Sequence, residues 1–271
     1  MPLDLPEPRR LLRLLLALAL ALAGPWPASP AFAQAPANGC NALPDHDKLR
    51  AALQGIMKLG KPKTTGMGNQ RWAALVDRNG IVCSVVFSGQ SANEQWPGSR
   101  VIAAEKASTA NAMSKPDFAL STGNLFFAAQ PGQSLYSLAT AAPPNAEAAY
   151  GGDPARFGQA NDPMLGKPIG GIIVFAGGLA LYDAHGKIVG GLGVSGDTSC
   201  ADHVVAWKLR HALNLDGVPA GVAPNSTDNL IFDLQNGGSA SGFGHPSCKG
   251  GTPSEAVIAK LPETDPVGQK R

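Results

Sequence analysis

Two hairpins constrain what this chain can fold into. The β-rich runs Arg71 to Val76 and Ile81 to Phe87 flank the turn Asp77-Arg78-Asn79-Gly80, and Leu179 to Tyr182 and Lys187 to Val194 flank Asp183-Ala184-His185-Gly186. Gly80 supplies the positive φ that a tight hairpin turn requires. Strands that arrive as adjacent pairs favour antiparallel pairing over βαβ crossovers. A further apolar run, Ile172 to Phe175 after Gly170-Gly171, predicts another strand. Helical patterns surround these runs. Leu49, Leu53, Ile56 and Met57 make one apolar stripe, with Asp45 or Asp47 as cap and Gly60 and Pro62 as stop. Ser99 is expected to cap a second helix running to about Ser114, whose Ala103, Ala107 and Ala110 form a small-residue face. A short helix is expected near Leu120–Ala129 and a last one from about Ala201 to Leu213. The expectation is one α+β domain over 45–215, with about five antiparallel strands flanked by helices. It carries a Pro/Gly/Asn/Asp-rich insert at 141–170, preceded by an arm at 34–44 and followed by an irregular tail at 216–271.

The first 33 residues read as an export signal rather than as fold. Arg9, Arg10 and Arg13 precede the apolar run Leu14 to Ala23, and Ala31-Phe32-Ala33 offers a cleavage site. The run is shorter than the ~20 residues that span a bilayer. The chain is therefore expected to be periplasmic or secreted, where disulfides persist. Lipidation of Cys40 is the competing reading, although Ala37-Asn38-Gly39 before it lack the usual leucine. A net charge of +2 and 15% charged residues argue against nucleic acid as a partner.

Three segments resemble a known family. They are the hairpin Ala74 to Val82, the helix Ser99 to Ala110, and the glycine-rich run Gly186 to Gly196 with the helix after it. Together, over roughly Leu49 to Leu213, they are similar to the GlcG/HbpS-like haem-binding proteins, which also form the C-terminal half of certain cobalamin adenosyltransferases. The resemblance implies a profilin-like or PAS-like antiparallel sheet, frequent homo-oligomers, and haem as a cofactor in some members. It assigns no iron ligand to a residue of this chain.

Gly191 to Gly196 spells G-x-G-x-x-G, yet it follows a hairpin instead of opening a βαβ unit. Close strand–helix packing explains those glycines better than a dinucleotide does. The last helix says more. Val205, Leu209, Ala212 and Leu213 form its core stripe, while Cys200, His203 and Trp207 fall together on the opposite side. The tail, with Phe232, Phe243, His245 and Cys248, offers a cover for them. Three readings follow. The first is a Cys200–Cys248 disulfide stapling the tail over Trp207, worth roughly 4 kcal/mol in the chain-entropy model. The second is a Cys₂His₂ zinc site from both cysteines with His203 and His245, which the compartment argues against. The third is the disulfide with His203 and His245 beside it as haem or metal ligands. By elimination Cys40 would pair with Cys83, tying the arm to the first hairpin. His46, His185, His211, Met113, Met164, Tyr136 and Tyr182 are weaker haem-ligand candidates, and Ser195 with Asp202 and His203 is a weak hydrolytic set.

The leading functional expectation is an exported haem-binding or haem-sensing protein without catalysis of its own, with His203, His245 and Trp207 as haem-contact candidates and no resident metal. The alternatives are a cofactor-free accessory module of the periplasm and an enzyme acting on a small oxidised metabolite. A small-molecule partner and a homo-oligomer are expected, without a membrane span.

Overall fold

The computed structural model describes residues 39–58, 66–249 and 254–264. The leader, most of the arm, the helix stop at Gly60 and Pro62, and the end of the tail lie outside them. In chain order the helices and strands are α1 (His46–Lys58), β1 (Trp72–Asp77), β2 (Val82–Phe87), α2 (Ser99–Ala112), α3 (Leu138–Ala141), α4 (Ala146–Tyr150), β3 (Gly178–Tyr182), β4 (Ile188–Ser195), α5 (Ser199–Ala212), β5 (Leu234–Gln235), β6 (Gly238–Ser239) and α6 (Ser254–Ile258). The main sheet has the order β2-β1-β4-β3, antiparallel throughout. The two hairpins are joined side by side through β1 and β4, with Trp72 opposite Ser195 and Leu75 opposite Leu192.

The period-2 alternation of the strands sorts their side chains onto two faces. Ala73, Leu75, Val86, Leu192 and Val194 pack under α1 and α5, against Leu49, Leu53, Val205 and Leu209. Trp72, Ala74, Val76, Val85 and Phe87 pack on the other side, against Val101, Ala103, Ala104 and Ala107 of α2. The result is three layers: two helices, a sheet, then one helix with the insert. The insert folds back onto the sheet, where Ala148, Ala149, Met164 and Ile169 join the second core. Its Asp162 is paired with the buried Arg100 of α2, through Arg100 Nε at 2.9 Å and through Nη2.

The glycines of β4 explain how close α2 comes. A Cβ at Gly193 would lie 1.9 Å from the carbonyl oxygen of Ala103, and one at Gly191 would lie 2.1 Å from that of Ala107. The G-x-G-x-x-G segment is thus a seat for the small-residue face of α2.

The structure corrects three details. The sheet has four strands, not about five, because Ile172–Phe175 does not join it. Gly170 and Gly171 both take left-handed φ, of 63° and 73°, and the Ile173 N–H donates to Thr109 Oγ1 of α2 at 3.0 Å instead of to a strand. Gly98, not Ser99, is the residue before α2, and no side chain caps that helix. Two 3₁₀ turns, Thr122–Leu125 and Phe127–Ala129, stand where a short helix was expected. The tail is ordered in part: Asn236-Gly237, at φ 50° and 79°, turn β5 into β6.

Candidate functional site

Thr198 starts α5, its hydroxyl accepting the Ala201 N–H at 3.3 Å. Asp197 ties the strand-to-helix turn to the chain before β1. It accepts the N–H groups of Met67 at 2.8 Å and Asn69 at 3.0 Å and pairs with Arg71 Nη2 at 2.9 Å. Asp202, one turn into the helix, lies 3.0 Å from both Arg71 Nε and Lys106 Nζ. Two cations and two anions therefore offset one another in the interior. Burial pushes the Lys106 amine below its usual range and the Asp202 carboxyl above its own.

The tail covers the outer side of α5. Cys200 and Cys248 are joined, with Cα atoms 6.0 Å apart, and Cys40 is joined to Cys83. Asp228 accepts two hydrogen bonds from the buried Arg210 guanidinium, at 2.7 and 2.8 Å. The Trp207 indole N–H donates to the Pro262 carbonyl at 2.8 Å, and the Arg210 guanidinium lies 4.7 Å from the Trp207 ring centroid. Ala176, Cys200, Val204, Leu230 and Ile258 close into a satellite core beneath it.

His203 and His245 are both fully enclosed. Burial depresses their pKa values, to about 3 and about 4 respectively, so both rings are neutral near pH 7. That is the charge state a metal ligand needs. Their surroundings differ. Asn229 Oδ1 accepts the Leu230 N–H at 2.8 Å, and His203 Nε2 lies 3.2 Å from the same oxygen. Nε2 therefore carries the ring proton, and Nδ1 keeps a buried lone pair with no hydrogen-bond partner. The His203 ring also lies 5.7 Å from that of Trp207. His245 faces the other way, toward Ser199 and the disulfide, between the rings of Phe126 and Phe232. Tail and helix thus bring both histidines under one cover, but among the described residues they do not share one ligand-binding point.

A cavity of about 750 Å³ opens beside His203, lined by Trp207, Leu230, Phe232, Ile258, Leu261 and Pro262 with polar groups from Asn229, Thr227, Glu255 and Glu263. It lies within the ~300–1,000 Å³ typical of small-molecule sites. His203 does not line it, but its two neighbours Trp207 and Asn229 do. Haem, the cofactor that the resemblance implies for some members, takes a cleft with apolar walls and a ligand such as an imidazole with an open lone pair. The apolar walls Trp207, Leu230, Phe232 and Ile258 and, behind Trp207 and Asn229, the unpartnered His203 Nδ1 fit those needs, with Asn229 holding Nε2 as a supporting hydrogen bond does. The remaining histidines sit elsewhere. His46 bonds the Gly158 carbonyl and Asp47, His211 pairs with Asp216 at 2.6 Å, and His185 is exposed in the second hairpin turn.

The buried charges and Asn229 escaped sequence reasoning. The available signals were Arg100 and Lys106, two cations on the alanine-rich α2.

A family model described as haem-degrading protein HbpS-like matches residues 50–209, more than half of the chain. The chain belongs to the HbpS-like family. The match spans α1 to α5 and ends before the tail that closes the cavity. Two solved structures are similar to this HbpS-like chain. The Klebsiella pneumoniae protein ORFY has a TM-score of 0.42 and 23% identity, over 62% of this chain and 86% of its own. PduOC, solved as a complex with haem, has a TM-score of 0.43 and 23% identity, over 64% of this chain and 96% of its own. No curated protein matches the chain. No described helix is long and apolar enough to cross a membrane.

Proposed function

We propose that this HbpS-like protein binds haem in the cavity between α5 and the tail. The single observation that carries the reading is the unpartnered Nδ1 of His203 beside a cavity walled by Trp207, Leu230, Phe232 and Ile258. Those apolar side chains would hold the macrocycle and His203 would supply an iron ligand. Haem brings the iron chemistry when bound, while the chain supplies a cleft with apolar walls and an imidazole kept neutral by burial. We read the role as holding or sensing haem, because the buried ion pair behind Trp207 is already engaged. Arg210 and Asp228 neutralise each other. Export by the leader at 1–33 and self-association into a homo-oligomer belong to the same proposal, the first resting on the three-part signal pattern.

Hemin titrated into the oxidised chain 34–271 tests it. The expected result is a saturable shift of the Soret band at one haem per chain. A featureless, non-saturating rise would remove haem from the account and leave the cofactor-free module. Decay of a bound Soret band on adding a reductant in air would replace holding by breakdown.

A further inference from the structure

One cluster lies outside the haem reading. The sulfurs of Cys200 and Cys248 and one ring nitrogen of His245 all lie within 4.8 Å of one another. In the oxidised chain the sulfurs are bonded and the group is a staple. Three observations say what it becomes when that bond is opened.

The first is the tautomer of His245. Its Nδ1 lies 2.8 Å from the Pro246 carbonyl oxygen, which can only accept, so Nδ1 carries the proton. Nε2 then presents its lone pair toward Ser199 Oγ, 3.3 Å away, on the turn that carries Cys200. A carbonyl holding the far N–H is the usual support of a metal-ligating histidine. The second is the setting of Cys248. Its sulfur accepts the Cys200 N–H at 3.2 Å, in the first turn of α5, where the helix end favours a thiolate. The third is that the tail has other anchors. The His245 N–H donates to the Ile231 carbonyl at 2.7 Å, the Cys248 N–H donates to Ser254 Oγ at 2.9 Å, and Asp228 grips Arg210. Opening the disulfide therefore leaves the two sulfurs facing each other.

We propose that reduction of Cys200–Cys248 turns the staple into a zinc site, held by the two thiolates and His245 Nε2, with a fourth position for water or Ser199 Oγ. Three protein ligands and one open position suit a tetrahedral cation, whose sulfurs would sit roughly 3.8 Å apart at ~2.3 Å from the ion. The reductant is a dithiol. It supplies two electrons and two protons, becomes a cyclic disulfide, and leaves two cysteine thiols. The first attack falls on Cys248, the less buried of the two cysteines, expelling Cys200. Zinc uptake then releases the two thiol protons to solvent. The metal is thus bound only by the reduced chain, and reoxidation expels it.

The test uses chain 34–271, oxidised or reduced with a dithiol that is removed under argon, and titrated with Co²⁺ as the spectroscopic stand-in and then with Zn²⁺. The reduced chain should take up one Co²⁺ with a thiolate charge-transfer band that Zn²⁺ erases, and the oxidised chain should show none. Cys200→Ser should abolish the band, Cys83→Ser should leave it, and His245→Ala should weaken binding at least tenfold. X-ray absorption of the zinc-loaded reduced wild-type chain should show two sulfurs and one imidazole, and it needs no variant to fold. Equal uptake by oxidised and reduced chains, undiminished affinity in His245→Ala, a shell without two sulfurs, or unfolding on reduction by circular dichroism would each overturn the proposal.

Discussion

The Cβ position of Gly193 points at the carbonyl oxygen of Ala103, and a methyl group placed there would stand 1.9 Å from it. β4 and α2 pack backbone to backbone at this point, and neither can give way without leaving the core. Gly193→Ala is expected to destabilise the fold by about 3 kcal/mol, at the upper end of what overpacking costs. Gly55 makes the contrast. It lies in the exposed face of α1, at ordinary φ, with nothing within 4 Å of its Cβ position. Gly55→Ala should stabilise by about 0.5–1 kcal/mol, because it removes backbone freedom from the unfolded chain. Urea midpoints of the two variants against wild type check both signs.

Asp228 holds the tail to α5. Its removal strands the Arg210 guanidinium, which is wholly buried and otherwise reaches, among the described residues, the Ala180 carbonyl and the Trp207 ring. Asp228→Ala should cost about 3–5 kcal/mol, the range for breaking one side of a buried pair. It should also expose the tail to protease before the sheet. Limited proteolysis followed by mass spectrometry reads this directly. First cuts inside α2 or β4, with the tail still protected, would contradict it.

The two-layered helical cover and the antiparallel pairing were legible in the sequence because they rest on local signals. Gly80, the apolar stripe of α1 and the alanine face of α2 each need only neighbours along the chain. The strand count was not legible, since Ile172–Phe175 has strand composition, while Gly170 and Gly171 take left-handed φ before it and its Ile173 N–H bonds Thr109. The covered side of α5 was legible from Cys200, His203 and Trp207 recurring on one face. The separate surroundings of His203 and His245 were not, because Asn229 and Ser199 set them through contacts across 26 and 46 residues. The buried charges were hidden for the same reason. Arg71 meets Asp197 and Asp202 only after β1 and β4 have paired.

Acid should weaken the fold through His203. Its pKa falls from about 6.5 unfolded to about 3 folded, chiefly through desolvation. The unfolded chain therefore binds the extra proton first. The stability tied to the neutral ring is fully present above about pH 6.5 and is lost as pH falls toward 3. Between pH 7 and pH 4.5 the loss from this group is about 2–3 kcal/mol. His203→Gln should lower stability at pH 7 yet flatten its slope over that window. Chemical denaturation of both chains at pH 7, 5.5 and 4.5 checks it, and parallel slopes would show that His203 titrates freely in the fold.

The central claim is that His203 is the iron ligand in a haem site under the tail. The most direct measurement compares hemin-loaded wild type with His203→Ala by Soret and visible absorbance across a titration. Wild type should give an imidazole-ligated spectrum, and the variant a shifted band and at least tenfold weaker binding. Superimposable spectra and equal affinities would contradict it and move the haem away from α5.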